Sequence, residues 1–231
     1  MFSYYGSKSK IIDYYPPPRF DKIIEPFAGS ARYSLKYFEK DVLLVDKYPV
    51  VIKVWEWLQK CSEKDILSLP RLKIGQKLND FYFDCEEAKW LCGFIVHAGG
   101  SSPRITCTTN GYQNQKSAYK NIVNSLHKIR HWRFRVDDYL NIENEEATWF
   151  IDPPYQFGGE YYVMKNKHIN FQQLADWCKT RKGQSIVCEN SKADWMPFYN
   201  LKRMSGQKYI TEEVIWTNTK TSFGAKQCSL F

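Results

Sequence analysis

An acid, two prolines and a tyrosine follow a hydrophobic run in the stretch "TWFIDPPYQF" (148–157). Because proline donates no backbone hydrogen bond, we expect a strand to end at Asp152. The Asp152 carboxylate and the carbonyls of Pro153 and Pro154 would then offer acceptors only, with Tyr155 as an aromatic wall. Such a site suits an exocyclic amine on a flat ring, since the acceptors hold its hydrogens while the tyrosine stacks.

A second stretch, "IIEPFAGSA" (23–31), is typical of a turn that binds a nucleoside-bearing cofactor. Gly29 between a strand and a helix lets a ligand approach the backbone, and a helix amino terminus favours negative charge. Asp46 ends the next hydrophobic run, where nucleotide-binding folds place the acid that holds a ribose. Ala31 stands where a dinucleotide motif has a second glycine, which favours a cofactor without a pyrophosphate. A purely structural turn fits this pattern equally well.

These residues require a sheet whose strands end at one edge. Hydrophobic runs predict five strands, at 22–24, 42–45, 148–151, 185–188 and 212–218. Helical periodicity predicts one helix from about residue 30 and three more over 51–60, 85–99 and 170–180. Alternation of strands and helices implies parallel strands with right-handed crossovers. Segment 99–115 is rich in Gly, Ser, Thr and Asn and predicts a long loop. We therefore predict an α/β protein with a mostly parallel, doubly wound sheet and a helical insertion.

The composition favours a folded protein with an anionic partner. Hydrophobic residues make up 43% and aromatic residues 16% of the 231 residues, which excludes disorder, and the net charge is +8. From residue 98 to 136 there is no Asp or Glu. A solvated basic surface would have the same composition, but with polar and aromatic neighbours this acid-free segment favours contacts to nucleic acid.

Other residue types restrict the setting. The seven cysteines are an odd number without a C-x-x-C pair, which predicts reduced thiols and a cytoplasmic protein. We expect no cleaved signal and no membrane partner, because no apolar run has the required length. We also expect no metal site, since His127 and His131 have no third ligand at a sensible spacing.

Five motifs in order resemble one family. The stretches are "YYGSK" (4–8), "EPFAGS" (25–30), "VDDYL" (136–140), "DPPY" (152–155) and "EEVIWTN" (212–218). Together they resemble the Dam-like (D12 class, alpha group) DNA adenine-N6 methyltransferases, which use S-adenosylmethionine. The resemblance implies a Rossmann-like methyltransferase fold, with a catalytic domain formed by 1–50 and 136–231. The inserted region, 51–135, would recognise the target.

The resemblance also implies roles for particular residues. The catalytic residues would be Asp152, Pro153, Pro154 and Tyr155. The cofactor would be bound by Tyr5, Gly6, Lys8, Glu25, Pro26, Phe27, Ala28, Gly29, Ser30, Asp46, Asp138 and Asp152, with Asp138 holding its adenine. A DNA duplex with a flipped adenine would be bound by Lys8, Arg104, Asn110, Tyr112, Lys116, Lys120, Lys128, Arg130 and Arg133. The implied setting is a prokaryotic or phage-infected cell.

Two departures and several alternatives accompany this prediction. Ser7 and Ala31 replace small glycines of the family pattern, which would alter cofactor affinity. Glu189 and Asn190 end another predicted strand. They would either face the target base or phosphate or cap the strand end, and the capping role is the one that we favour. An RNA adenine-N6 methyltransferase and a catalytically silent DNA-binding paralogue remain open. Cytosine-C5 transfer is excluded because the chain has no Pro-Cys nucleophile.

Overall fold

A computed structural model describes residues 1–205 and 210–219, so the end of the predicted catalytic region lies outside the described residues. The strands are β1 (Lys22–Glu25), β2 (Asp41–Asp46), β3 (Arg133–Val136), β4 (Ala147–Ile151), β5 (Gly183–Asn190), β6 (Tyr199–Ser205) and β7 (Ile210–Thr217). The α-helices are α1 (Arg32–Lys36), α2 (Pro49–Lys60), α3 (Glu63–Leu67), α4 (Glu86–His97), α5 (Thr109–Val123) and α6 (Phe171–Lys179).

All seven strands form one sheet in the order β3-β2-β1-β4-β5-β7-β6. The first five are parallel, and β7 runs antiparallel between β5 and β6. This is the Rossmann-like methyltransferase fold, as predicted. The chain order reverses between β1 and β4, and in an open parallel sheet a ligand lies outside the carboxyl ends of the strands at that point.

Buried residues cover both faces of the sheet. Every residue of β4 is buried, as expected for a parallel strand between two layers. On one face Phe150 stacks on Tyr33 with ring centroids 4.3 Å apart. On the other face Trp149 and Trp177 meet edge to face at 5.5 Å. Because the sheet is buried on both sides, its strand ends are the places where polar residues reach a ligand.

The predicted long loop at 99–115 is wrong in its second half, because α5 begins at Thr109. The Thr108 hydroxyl caps the helix by accepting from the Gly111 N–H at 3.1 Å. A Cβ at position 111 would lie 1.7 Å from the Val96 carbonyl oxygen, so only glycine permits α5 to approach α4. The polar composition hid this helix, whose buried face is formed by Gly111, Gln115, Ala118, Tyr119 and Ile122.

The predicted insertion at 51–135 shares residues with the sheet. Residues 133–136 form β3, an edge strand whose Phe134 pairs with Leu44 of β2. Helix α2 packs against β2 and β3. Of the predicted insertion, only the residues between α2 and β3 therefore lie outside the sheet and outside helix α2, which covers it. Short, charged β3 is an exposed edge, which explains why no hydrophobic run identified it.

Among the helices of the described residues, none is both long enough and apolar enough to cross a bilayer.

Candidate functional site

A cavity of about 400 Å³ opens at the carboxyl ends of β1, β2 and β4. It is lined by residues of five segments: 4–8, 25–32, 46–48, 138–139 and 150–169. Every residue predicted to bind the cofactor lines it, from Tyr5 and Gly6 to Asp138 and Asp152. The sheet therefore brings the motifs of the sequence to one site.

The turn after β1 has a tightly constrained backbone. Gly29 and Ala31 both have φ of +45°, a conformation that costs a non-glycine residue roughly 1–2 kcal/mol. The Gly29 carbonyl accepts from Trp55 Nε1 at 3.0 Å, and its N–H donates to Asp46 at 3.1 Å. Hydrogen bonds thus fix the turn on both sides. Because the strained backbone at Ala31 costs free energy, we infer that the turn keeps this conformation in order to bind a ligand.

Asp46 lies at the end of β2 and faces the cavity. Its carboxylate accepts the Gly29 N–H and the Tyr48 N–H, the second at 2.9 Å. Burial raises the pKa of Asp46 to about 6, against these two backbone hydrogen bonds, so the group is ionised at pH 7. Two oxygens provide about four lone-pair sites, which leaves capacity for the hydroxyls of a ribose.

Asp138 lines the cavity and already has protein partners. Its Oδ2 is 2.7 Å from Lys47 Nζ, and its Oδ1 accepts the Leu140 N–H at 3.1 Å. The neighbouring Tyr139 packs against Phe27 with ring centroids 5.4 Å apart. This region offers aromatic surface beside an acceptor, as an adenine would require.

Glu25 and Ser30 line the cavity and form hydrogen bonds with α1 and with the amino-terminal segment. Glu25 is buried and accepts the Ser34 N–H of α1 at 2.8 Å. Burial raises its pKa to about 8, so the carboxyl is largely protonated at pH 7. The Ser30 hydroxyl donates to Ser7 at 3.2 Å, and Arg32 Nε donates to the same Ser7 oxygen at 3.1 Å. Arg32, which the sequence did not single out, adds a cation to the wall.

Asp152 follows β4 and lines the cavity. Lys8 Nζ is 2.9 Å from Asp152 Oδ1. Burial raises the pKa of Asp152 to about 6, the Lys8 charge lowers it, and the Glu213 charge raises it. The carboxylate is therefore ionised at neutral pH and available as an acceptor.

The other three predicted catalytic residues do not all line the cavity as Asp152 does. Pro154 lines the cavity, whereas Pro153 and Tyr155 do not. The Tyr155 hydroxyl donates to Glu213 Oε1 at 2.6 Å, and Lys8 Nζ lies 4.5 Å from the centre of its ring. One face of the ring is thus covered by a cation, which leaves at most the other for stacking on a base.

Besides Arg32, the sequence prediction gave no role to two residues of this site, Tyr15 and Glu213, and Tyr162 also contributes to the cavity wall. The Tyr162 hydroxyl donates to the Tyr5 carbonyl at 3.4 Å and lies against Gly6. Glu213 belongs to the late matched strand, so that match was the available signal for it. Nothing in the proline-rich connector indicated that the Tyr15 hydroxyl would donate to Glu213 at 2.7 Å.

Glu189 braces the segment that follows β4. Its carboxylate accepts the Gln156 N–H at 2.6 Å, the Asn190 N–H at 2.8 Å and Trp195 Nε1 at 3.1 Å. Burial raises the pKa of Glu189 to about 7 against these hydrogen bonds. Because its partners are protein groups, Glu189 has the capping role that the sequence slightly favoured.

The structure separates the predicted DNA contacts into three places. Arg104, Asn110 and Tyr112 are exposed just before α5 and in its first turn, and Lys116 and Lys120 follow along the helix. Arg130 and Arg133 bind Cys61 and Asp41 at the opposite end of the strands, and Lys128 covers the Phe38 ring there. Lys8 is only 7% exposed and cannot contact a phosphate on the surface.

Comparisons with known proteins find only distant structural similarity. No family model matches the chain, and no curated protein is similar to it. Similar solved structures include yhhF of Escherichia coli, provisionally described as a methyltransferase (TM-score 0.36, 9% identity, 84% of this chain and 74% of that chain). HI0767 of Haemophilus influenzae, provisionally described as a methylase, has a TM-score of 0.37 and 12% identity over 86% of this chain and 80% of that one.

A conserved hypothetical protein of Streptococcus pyogenes has a TM-score of 0.34 and 10% identity over 86% of both chains. With scores this low, these similarities carry no argument about reaction or substrate. The fold assignment rests on strand order and direction.

Proposed function

We propose that the protein transfers a methyl group from S-adenosylmethionine to N6 of an adenine flipped out of duplex DNA. The observation that carries the proposal is the position of Asp152. Its carboxylate, which ends β4 in the stretch "DPPY", lies in the same cavity as the β1 turn and Asp46. This position supports the proposal, because an acceptor for an amine would then lie next to a site for a nucleoside-bearing cofactor.

The cavity residues fit this cofactor. Asp46 has spare lone pairs for ribose hydroxyls, and Phe27 and Tyr139 offer aromatic surface beside Asp138. Arg32 provides a positive charge on the wall, which suits a carboxylate such as that of a methionyl group. A volume of about 400 Å³ is in the range of ligand pockets.

The chain contributes positioning and electrostatics to the reaction. S-adenosylmethionine supplies an electrophilic methyl group on a sulfonium. Asp152 and the Pro153 carbonyl would accept the two hydrogens of the target amine, which turns the nitrogen lone pair towards the methyl group. The amine would approach from the side of Pro153 and Tyr155. In such a displacement the nitrogen–carbon bond would form as the carbon–sulfur bond breaks, with S-adenosylhomocysteine as the leaving group. Alignment supplies most of the rate, and the carboxylate would stabilise positive charge on nitrogen until its proton is lost to solvent.

A charge argument supports DNA as the substrate. The net charge of +8 includes the exposed Arg104, Lys116 and Lys120 on and before α5, with Tyr112 among them. Cations that neutralise phosphates and an aromatic ring that can stack are typical of nucleic-acid contacts.

Transfer of labelled methyl groups tests the proposal. Purified protein is incubated with methyl-labelled S-adenosylmethionine and either mixed-sequence duplex DNA or structured RNA, and digested nucleosides are separated by mass. We expect label in N6-methyldeoxyadenosine only. Label confined to RNA would replace DNA by RNA as the substrate, and label in neither, with measurable DNA binding, would favour a silent paralogue.

A pair of variants tests the role of Asp152. Asp152→Ala should abolish transfer, because the amine loses its acceptor, while binding of S-adenosylhomocysteine persists. Asp194→Ala is the matched control, since Asp194 is an exposed carboxylate that bonds Gln156 outside the cavity. Unchanged transfer by Asp152→Ala would contradict the proposed role.

A further inference from the structure

A buried cluster of charged and hydroxyl groups lies beside Asp152. Lys8 Nζ is 2.9 Å from Asp152 Oδ1 and 3.7 Å from Glu213 Oε1, and the side chains of Lys8 and Glu213 are each 8% exposed. The same Glu213 oxygen accepts the Tyr15 hydroxyl at 2.7 Å and the Tyr155 hydroxyl at 2.6 Å. Four distant parts of the chain therefore meet at one lysine and one glutamate.

The protonation state of each carboxylate in this cluster depends on the charge of Lys8. Lys8 is the shared cation of two buried carboxylates, and burial of a charge is costly unless it is paired and hydrogen-bonded. Without Lys8, Asp152 and Glu213 would be two like charges in a largely buried cluster, and one of them would take up a proton. A protonated Asp152 would no longer be a two-oxygen acceptor for an amine.

Within residues 1–205 and 210–219, the other titratable groups that face Asp152 carry no charge able to replace Lys8. They are Glu25 of β1, Cys188 and Glu189 of β5, and the tyrosines Tyr15, Tyr155 and Tyr162 of the surrounding segments. Every one of these groups is neutral or negative when it titrates. Lys8 is thus the cation on which the ionised state of Asp152 depends.

We propose that Lys8 and Glu213 are positioning residues for Asp152. Lys8 pairs with Asp152 Oδ1 at 2.9 Å and keeps the carboxylate ionised, so that it can accept the incoming amine. Glu213 holds Lys8 and, through Tyr15 and Tyr155, the chain that follows β4. The inference rests on the proposed function for the identity of the amine, whereas the charge relationship is a property of the folded chain. It gives Lys8 a role different from the cofactor or phosphate contact that the sequence suggested.

The first test measures stability and needs no activity. Chemical denaturation of the whole chain is followed between pH 5.5 and pH 8.5 for the wild type, Lys8→Met and the double variant Lys8→Met/Glu213→Gln. We expect Lys8→Met to lose more stability at pH 8.5 than at pH 5.5, because ionising both carboxylates then costs most. The double variant should recover part of the loss at high pH. A pH-independent loss without recovery would overturn the proposal.

The second test measures the pH dependence of methyl transfer. In Lys8→Met the acidic limb of kcat should move upward by roughly one to three pH units, and in Glu213→Gln it should move downward. Lys8→Arg retains the charge and should restore the wild-type midpoint. Lys10→Met, which removes an exposed lysine nearby, is the matched control. An unshifted limb in both Lys8→Met and Glu213→Gln would overturn the positioning role.

The two tests separate the two proposals. If no substrate is methylated under any condition, the proposed function fails, but the denaturation series still decides whether Lys8 and Glu213 control the charge of Asp152. Glu213→Gln also covers the case in which Lys8→Met does not fold, because it removes a negative charge and leaves the lysine paired with Asp152.

Discussion

The Tyr162 hydroxyl lies so close to Gly6 that a Cβ at position 6 would stand 2.0 Å from its oxygen. Gly6 has φ of +74°, and the same hydroxyl donates to the Tyr5 carbonyl at 3.4 Å. Tyr162 follows β4 and Gly6 precedes β1, so this contact joins two cavity-lining segments that are far apart in the chain.

Gly6→Ala should therefore weaken cofactor binding as well as stability. The methyl group displaces Tyr162, and the positive φ adds a strain of roughly 1–2 kcal/mol. Calorimetry with S-adenosylhomocysteine and thermal unfolding measure the two effects. Gly75→Ala is the control, since Gly75 has φ of +83° with nothing near its Cβ. It should lose stability without losing affinity; equal affinity in both variants would contradict this reasoning.

Methyl transfer should decline below about pH 6 in the wild type. Burial raises the pKa of Asp152 to about 6, and only the ionised carboxylate accepts both the amine and Lys8. The protonated form dominates below that pH, so kcat at saturating cofactor and DNA should fall as pH drops through this value. A kcat that stays level down to pH 5 would contradict the prediction.

The stability effect of Asp152 has the opposite sign from that of an ordinary paired carboxylate. Its folded pKa lies above the unfolded value of 3.8, so the folded state binds the proton more tightly. Its contribution to the unfolding free energy therefore falls as pH rises from about 4 to about 6, and it is constant above. Stability and activity should thus change in opposite directions with pH across this window.

Asp46→Ala should lower the affinity for S-adenosylhomocysteine by about ten- to a hundredfold. The variant removes the acceptor of the Gly29 and Tyr48 N–H groups and the proposed partner of the ribose. Asp41→Ala, at the exposed start of the same strand, is the control. Equal affinity in the two variants would exclude Asp46 from the cofactor site.

DNA binding should depend on one end of the acid-free segment. If DNA meets the cavity, Arg104→Ala and Tyr112→Ala should weaken binding, and Arg104→Ala should also reduce its salt dependence. Arg133→Ala should leave affinity nearly unchanged, because Arg133 pairs with Asp41 at the far end of the strands. Fluorescence anisotropy at two salt concentrations measures this. A larger loss in Arg133→Ala would place DNA on the opposite side.

Gly111→Ala should destabilise the protein although alanine is the better helix former. An exposed glycine in a helix is improved by roughly 1 kcal/mol on change to alanine. Here the added Cβ would meet the Val96 carbonyl oxygen at 1.7 Å, so α5 must move away from α4. Chemical denaturation should show a loss of about 2 kcal/mol or more. Gln113→Ala, exposed on the same helix, should show no loss.

Local chemistry determined where the motifs would act. Two prolines cannot continue a ladder of hydrogen bonds, so the end of β4 at Ile151 was predictable from "DPPY" alone. The buried strands and the turn after β1 were predictable for a similar reason, since hydrophobic runs and a glycine restrict the backbone locally. The edge strand β3 and the helix α5 were not, because an exposed edge needs no hydrophobic run and α5 depends on its contact with α4.

Tertiary structure alone decided which groups surround Asp152. Nothing local in the sequence connects Lys8, Tyr15 and Glu213, which come from the amino-terminal segment, the proline-rich connector and β7. In the fold Lys8 pairs with Asp152 and with Glu213, and the Tyr15 hydroxyl donates to Glu213. Their meeting depends on the order in which strands are placed in the sheet. The residue types therefore determined the kind of chemistry that the site can perform. The fold determined the protonation state of Asp152, because burial and neighbouring charges act on its pKa through space.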